Sequence, residues 1–390
     1  MSTNQEGRGV EIVVSTRFQL LPPIDDRDPA ELLTAEEGVA LQLEDGRRIQ
    51  LDPGDARSPG FIRVVDGLAR QGRPVAFELD LEDRIVRLFT PHVSQVISLR
   101  EIDRGVLSVD LAASHGRHTL RDSHPDYAAL TETLGRAIES GATVILTEDD
   151  SHDVLDVQVI DEGGPPLVLR DRPRKSFLAR IADIYRSFIH WITCWCSFPW
   201  GLFRAVSPSK AQQMFDDLAA RSCDPLTVPA PCIPFLYPDD GCWGRAHEMC
   251  RLIVEERMKP CKVWIEGSLH VNTVNNPNCE VWWGWHVAPT HCVRGSGLFG
   301  FFKIRSMVFD PALFTTPVTK TQWKGVQGDP TATLTNSSWT IFYLWGTSTN
   351  NTWSTLTDPS YTQTNSVLAY YRISLQNRAV QFGPPPYSCP

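Results

Sequence analysis

The segment PDDGCWGRAHEMCRLIVEERM, residues 238–258, holds a cysteine in a setting that could support nucleophilic chemistry. From Trp243 onward the residues favour helix, and Ala246, Met249, Ile253 and Met258 supply one apolar face. Asp239, Asp240 and Gly241 make a turn ahead of that run, so Cys242 falls at the first position of the helix. Unpaired amide N–H groups and the helix dipole favour a thiolate there, and a lowered cysteine pKa is expected. A cysteine at a helix start is more often structural than catalytic, so the segment needs a partner base.

Such a thiol requires an imidazole, and the imidazole requires a group that holds its tautomer. His247, five residues on, lies about 140° around the helix from Cys242 and is badly placed. His270, His286 and His291 remain. His286 lies in CEVWWGWHVAP, an aromatic, strand-like run whose bulky neighbours would exclude water. After it, FFKIRSMVFDPALF ends a strand at Asp310, where Pro311 stops the ladder. An acid at a strand end beside a base on the neighbouring strand could orient that base. Asp310 also reads as an ordinary Asp-Pro turn, and the residues alone leave the trio open.

The elements ahead of this segment form a pattern of their own. Residues 38–95 and 105–160 each read as hairpin, helix, hairpin. In the first copy VALQL and RRIQL flank Asp45-Gly46, a two-residue turn signal. A helix with Ile62, Val65 and Leu68 on one face follows and stops at Gly72; Leu130, Leu134 and Ile138 repeat the stripe before Gly141. VAFELD with RIVRLF, and TVILTE with VLDVQV, close the copies. His115, His118, His124 and His152 fall in polar turn regions and read as surface histidines. The expected fold is α+β, with an accessory or inhibitory module over 1–162.

Residues 163–175 (GGPPLVLRDRPRK) read as a basic linker. Phe177, Ile181, Ile184, Phe188 and Trp191 then follow helical spacing. That helix, within 163–205, is too charged to span a bilayer. It reads as buried against a neighbouring domain or, with Arg172, Arg174 and Lys175 upstream, as contacting a membrane surface through 173–206. Beyond Asp310, WTIFYLW and VLAYYRISL read as strands.

Composition narrows the function classes. The chain has 390 residues, 21% charged and 42% hydrophobic, which is ordinary globular material with room for more than one core. A formal net charge of -9 argues against nucleic-acid binding. All ten cysteines lie from Cys194 to Cys389, a density that suits disulfides and an oxidising compartment. The N-terminal MSTNQEGRGVEIVV lacks the basic and apolar regions of an export signal. The expected localisation is therefore secretion or translocation without a classical signal peptide, with a reduced cytoplasmic protein as the alternative.

From about 206 to 375 the chain resembles the bacterial protein-glutaminase family, protein glutamine deamidases with a transglutaminase- and papain-like core. The likeness runs in one order through SCDPLTVPAPCIPFLYPDDGCWGRAHEM, WGWHVA, DPALFTTPVT followed by a tryptophan, and TNSVLAYYRISL. It implies a catalytic domain over 206–390, with Cys242 as nucleophile, His286 as base and Asp310 as orienting acid. It also implies hydrolysis of glutamine side-chain amides in protein substrates through a cysteine thioester, with no cofactor and no metal. Trp283 stands beside the histidine as in the family, as a wall of the glutamine slot or as a core aromatic; Trp243 and Trp285 are expected to line the same slot. Cys223 with Cys232, and Cys261 with Cys279, stand where the family has cysteines. A transglutaminase or cysteine peptidase on the same core, or a non-catalytic protein- or carbohydrate-binding module, are the alternatives. A bacterial effector or toxin would reconcile cysteine density, missing signal and accessory module.

Overall fold

The computed structural model describes residues 11–24, 27–34, 39–160, 194, 196, 204–295, 303–347 and 352–390. The linker expected at 163–175 and the apolar helix expected near 177–191 lie outside the described residues. Two compact units emerge: residues 1–168, 224–228 and 370–390 form the first, and 169–223 with 229–369 the second. The C-terminal 21 residues, expected with the catalytic domain, thus belong to the first unit.

The first unit repeats one topology. Its first half contains strands β1 (Glu11–Ser15), β2 (Phe18–Leu21), β3 (Ala40–Leu43) and β4 (Arg48–Gln50), with helix α1 (Pro29–Leu33). Helix α2 (Ser58–Arg70) and strands β5 (Val75–Leu79) and β6 (Ile85–Phe89) complete it. The second half runs β7 (His92–Asp103), β8 (Val106–Leu111), β9 (His118–Arg121), α3 (Tyr127–Ser140), β10 (Thr143–Glu148) and β11 (Val154–Ile160). Its sheet order is β11-β10-β7-β8-β9. The first half has β6-β5-β1 and β2-β3-β4, so β1 and β2 together do what the long β7 does alone. β7 manages this because its start pairs with β10 and its remainder with β8. The strand that leads each half was left out of its copy as read from sequence: β1 precedes residue 38, and β7 precedes residue 105 with its first residues counted in the other copy.

Each half buries its own core. Phe61, Ile62, Val65 and Leu68 of α2 pack on Leu41, Ile49 and Phe77. Leu130, Leu134 and Ala137 of α3 pack on Val109, Leu120 and Val144. The expectation of surface histidines fails here: His118 is fully buried, and His115 and His152 are buried too. Polar neighbours in sequence do not expose them: His118 begins β9, and its side chain and those of His115 and His152 are turned inward.

The second unit is a five-stranded antiparallel sheet, β15-β14-β13-β12-β16. Its centre is the hairpin of β12 (Cys261–Asn272) and β13 (Glu280–Arg294); β14 (Ile304–Val308), β15 (Val318–Thr319) and β16 (Thr333–Ser338) flank it. Helix α4 (Pro208–Ala219) is capped by Ser207, whose side chain accepts from the Lys210 amide. Helix α5 (Cys242–Glu255) packs on β13, and α6 (Lys320–Gly325) opens with a capping box of Thr319 and Gln322. A small hairpin, β17 (Ile341–Thr347) with β18 (Thr352–Thr357), precedes α7 (Thr362–Phe382).

VLAYYRISL is therefore helix within α7, not strand. Val367, Leu368, Tyr370, Tyr371, Ile373, Leu375, Asn377 and Arg378 are all buried, and a helix buried on most faces shows no apolar stripe at a 3.6-residue period. Among the described residues no helix is long and apolar enough to cross a membrane.

Disulfides Cys194–Cys261, Cys196–Cys292 and Cys223–Cys232 are present. The expected Cys261–Cys279 bond is not. Cys261 begins β12, opposite Thr290, whereas Cys279 sits at the far turn, where Asn272 pairs with Glu280. Eleven residues of strand separate those ends by roughly 35 Å, and a disulfide needs Cα atoms within about 7 Å.

Candidate active site

Cys242 occupies the first turn of α5 as the sequence predicts, and Gly241 makes that entry possible. As N-cap it adopts φ 79°, ψ 14°, a left-handed conformation that side chains with a Cβ disfavour. The loop ahead of it is held from several directions. Buried Arg245 donates to the carbonyl of Tyr237 at 2.9 Å and to that of Asp240. The indole N–H of Trp283 donates to the Asp239 carbonyl at 3.0 Å, and the Asn276 amide donates to the Asp239 carboxylate. Gly244 lets α5 approach its neighbour closely, since a Cβ there would lie 2.6 Å from Val367 Cγ1.

The base and its acid come from neighbouring strands. His286 is on β13, and Asp310 follows β14 by two residues, in the turn that Leu313 and Phe314 close with amides donated to its carbonyl. His286 Nε2 and Asp310 Oδ2 are 2.9 Å apart, and both residues are buried. The Trp323 indole N–H, on α6, donates to the same Asp310 oxygen at 2.8 Å. Trp283 stacks on the His286 ring at 4.5 Å between centroids and 16° between planes, and Trp323 stacks at 5.5 Å and 29°. The imidazole is thus fixed by an acid at one edge and indoles against its ring. Cys242 Sγ and a ring nitrogen of His286 lie within 4.8 Å of each other.

Electrostatics correct one expectation. Burial pushes the Cys242 thiol well above its ordinary pKa; nearby Arg245 and the Val287 amide oppose this without reversing it. The desolvation of a thiolate in a buried site outweighs the helix terminus. Asp310 goes the other way. Burial disfavours its ionisation, but His286, the Trp323 N–H and Arg245 outweigh that and hold the carboxyl below its usual value. The arrangement is a protonated thiol beside an imidazole backed by an ionised acid, which suits proton transfer from sulfur to nitrogen at the moment of attack.

Of the three tryptophans expected at a substrate slot, Trp283 and Trp243 are buried, and Trp285 is partly exposed. Trp285 meets Trp243, Trp264 and Tyr343 with ring centroids 5.2–5.8 Å apart. The two other candidate bases stand elsewhere: His270 pairs with Glu280 at 2.8 Å, and His291 Nδ1 lies 3.1 Å from the Cys292 carbonyl. Sequence reasoning missed Asn276 and the donor roles of Arg245 and Trp323, although the last two lie in the motifs quoted above. The roles are not legible there, since each residue acts on a group distant in the chain or on a backbone carbonyl.

Residues 211–327 match a glutaminase family, Gln_deamidase_2. The matched stretch spans Cys242, His286, Asp310 and Trp323, and it makes the second unit a glutamine-amide hydrolase of α+β fold. Among solved structures, the chain is similar to a crystal structure of pro-protein-glutaminase, at 19% identity over 72% of this chain and 92% of that one, with a TM-score of 0.46. It is also similar to the crystal structure of protein-glutaminase (28% identity, 42% of this chain, 87% of that one, TM-score 0.36). The NMR structure of protein-glutaminase from Chryseobacterium proteolyticum matches at 27% identity over 41% of this chain and 84% of that one, with a TM-score of 0.35. No curated protein sequence matches this chain.

Proposed function

We propose that the second unit deamidates protein-bound glutamine with Cys242 as nucleophile, His286 as general base and acid, and Asp310 as the orienting acid. The observation that carries this reading is the convergence of a helix-start thiol with an imidazole whose Nε2 is held by a buried, ionised carboxylate. With Nε2 on Asp310, Nδ1 is the nitrogen that takes the thiol proton. The sulfur attacks the glutamine δ-carbon, and the carbonyl oxygen becomes an oxyanion stabilised by amide N–H groups at the start of α5. Collapse expels ammonia, which leaves with the proton returned by His286. Water, deprotonated by His286, then hydrolyses the thioester to glutamate and regenerates the thiol.

Trp285, the partly exposed member of the aromatic group next to the nucleophile, lines the approach for the aliphatic stem of the glutamine side chain. The buried Trp283 positions His286 and the Asp239 loop. Eight disulfide-bonded cysteines support a working place in an oxidising compartment, as for a secreted or translocated bacterial effector.

The test is intact-mass and peptide mass spectrometry of a glutamine-rich protein treated with the full chain. Amide-to-acid conversion adds about one dalton per glutamine with release of ammonia. Cys242→Ala and His286→Ala are each expected to abolish both signals. Cross-linked product would favour a transglutaminase, backbone cleavage a peptidase, and unchanged activity in Cys242→Ala would remove the nucleophile assignment.

A further inference from the structure

The two halves of the first unit provide an internal comparison for a buried polar cluster. In the second half, His92 begins β7, His118 begins β9 and Glu148 ends β10. His92 Nε2 lies 3.0 Å from Glu148 Oε1, and His118 Nδ1 contacts Glu148 Oε2. His152 Nδ1, in the following turn, is 2.8 Å from Glu148 Oε1. One nitrogen each from His92 and His118 and a Glu148 oxygen all fall within 4.8 Å of one another, with both histidines buried.

Strand registers identify the equivalent positions in the first half. A parallel bridge joins Gln50 to Arg84 there, and Thr119 to Asp153 in the second half. A register shift falls just before Leu79 in β5 and just before Glu148 in β10. Val13 pairs with Phe77, as His92 pairs with Leu146 two residues before Glu148. Val13, Ile49 and Leu79 are therefore the counterparts of His92, His118 and Glu148. Asp83 matches His152, and both take a left-handed φ, 59° and 62°.

The apolar trio belongs to the core of its half, with Ile49 and Leu79 fully buried. The backbone thus forms with three aliphatic side chains at these positions. Replacing buried ionic sets by packed apolar groups is commonly neutral or stabilising, so the fold itself gives no reason for His, His and Glu. A ligand that uses their lone pairs does.

We propose that His92, His118 and Glu148 form a binding site for a divalent transition metal, zinc being the best match to two imidazoles and a carboxylate, with His152 alongside as a further nitrogen donor. Zinc bonds of about 2.0–2.2 Å put tetrahedral ligand atoms about 3.3–3.6 Å apart, a spacing reached here by small rotations. Coordination needs a lone pair on His118 Nδ1, with the proton on Nε2. Ser114 Oγ lies 2.9 Å from that Nε2 and can accept its proton, the usual partner outside a ligand sphere. The ion would tie together strands of one half and the turn that closes it, a structural role separate from the amidase chemistry.

The experiment uses the full chain carrying Cys242→Ala, which removes the nucleophile thiol as a competing ligand. After chelator treatment and dialysis against zinc chloride, elemental analysis is expected to find one zinc per chain. Thermal unfolding should shift upward with zinc, and cobalt loading should give visible d–d bands without a thiolate charge-transfer band. The triple change His92→Val, His118→Ile and Glu148→Leu, which copies the first half, should fold and retain no zinc. Should that variant not fold, Glu148→Gln serves instead and should weaken zinc binding by more than the roughly 10- to 100-fold cost of losing a partner outside the ligand sphere. Absence of zinc binding, equal binding by the wild-type and altered sites, or a thiolate band on cobalt would each overturn the proposal and leave a hydrogen-bonded cluster only.

Discussion

His286 and His247 are both buried histidines of the second unit, and their neighbours give them opposite properties. His286 has the Asp310 carboxylate at 2.9 Å and two indoles stacked on its ring. His247, on the nucleophile helix itself, has the buried Lys262 ammonium 3.0 Å from its Nδ1. Burial, reinforced by that cation, lowers His247 to about 3, so it is a neutral acceptor at physiological pH. Lys262 is itself brought down to about 8 by burial and also donates to the Ile341 carbonyl at 2.7 Å. Burial alone therefore does not make a base. An acid that stabilises the imidazolium does, and a cation in the same position forbids it.

The largest test of this contrast sets Asp310→Asn against His247→Gln. Asp310→Asn removes the charge that supports the imidazolium and should lower the rate of ammonia release by about 10⁴-fold, the loss typical when a triad acid is neutralised. His247→Gln keeps an acceptor for Lys262 and should stay within about tenfold of the wild type. Equal losses would show that both substitutions act through packing around α5 and β13 rather than through the chemistry. Trp323→Phe sharpens the same point. It keeps a ring against His286 and deletes one N–H to a charged oxygen, a loss of about 1.5–3 kcal/mol, or roughly 10- to 100-fold, expected in kcat more than in KM. A change in KM alone would mean that Trp323 acts on substrate binding instead.

Gly244→Ala tests the helix that carries both Cys242 and His247. Its new Cβ would meet Val367 far inside van der Waals distance. Overpacking of this kind costs about 1–3 kcal/mol, read as a lower unfolding midpoint. A midpoint equal to wild type would show that α5 has slack at its N-terminal end.

How far the sequence led depends on the range of each interaction. The start of α5 was legible because Asp-Asp-Gly and the helical run are adjacent, and the end of β14 near Asp310 because Pro311 punctuates the strand beside it. The hairpin-helix-hairpin order of the first unit was legible for the same local reasons. Cys194–Cys261 was not, because a family-based pairing says nothing of strand length, and β12 carries Cys261 to the wrong end for Cys279. The buried histidines of the first unit were misread because Ser, Asp and Gly neighbours suggest turns, whereas His118 begins strand β9, and composition does not tell which way a side chain faces. The thiol was misjudged because helix-terminus electrostatics can be read from sequence and desolvation cannot.

His247 also leaves a smaller signature in stability. An unfolded-chain histidine titrates near 6.5, whereas in the fold the same group stays neutral down to about 3. Between these values the unfolded chain binds a proton that the folded chain refuses, so stability from this residue is complete above about 6.5 and falls as pH drops toward 3. The slope from one such proton is at most about 1.4 kcal/mol per pH unit. Unfolding free energies from denaturant titrations between pH 7 and 4 should fall less steeply for His247→Gln than for wild type, by up to that amount per unit. Asp310 also weakens the fold in acid, because its lowered carboxyl pKa contributes stability that is lost as pH falls through the folded value. Only the difference between variant and wild type therefore isolates the histidine. Identical slopes would mean that Lys262 gives up its proton as His247 gains one, which would make the pair a shared site rather than a cation holding a neutral imidazole.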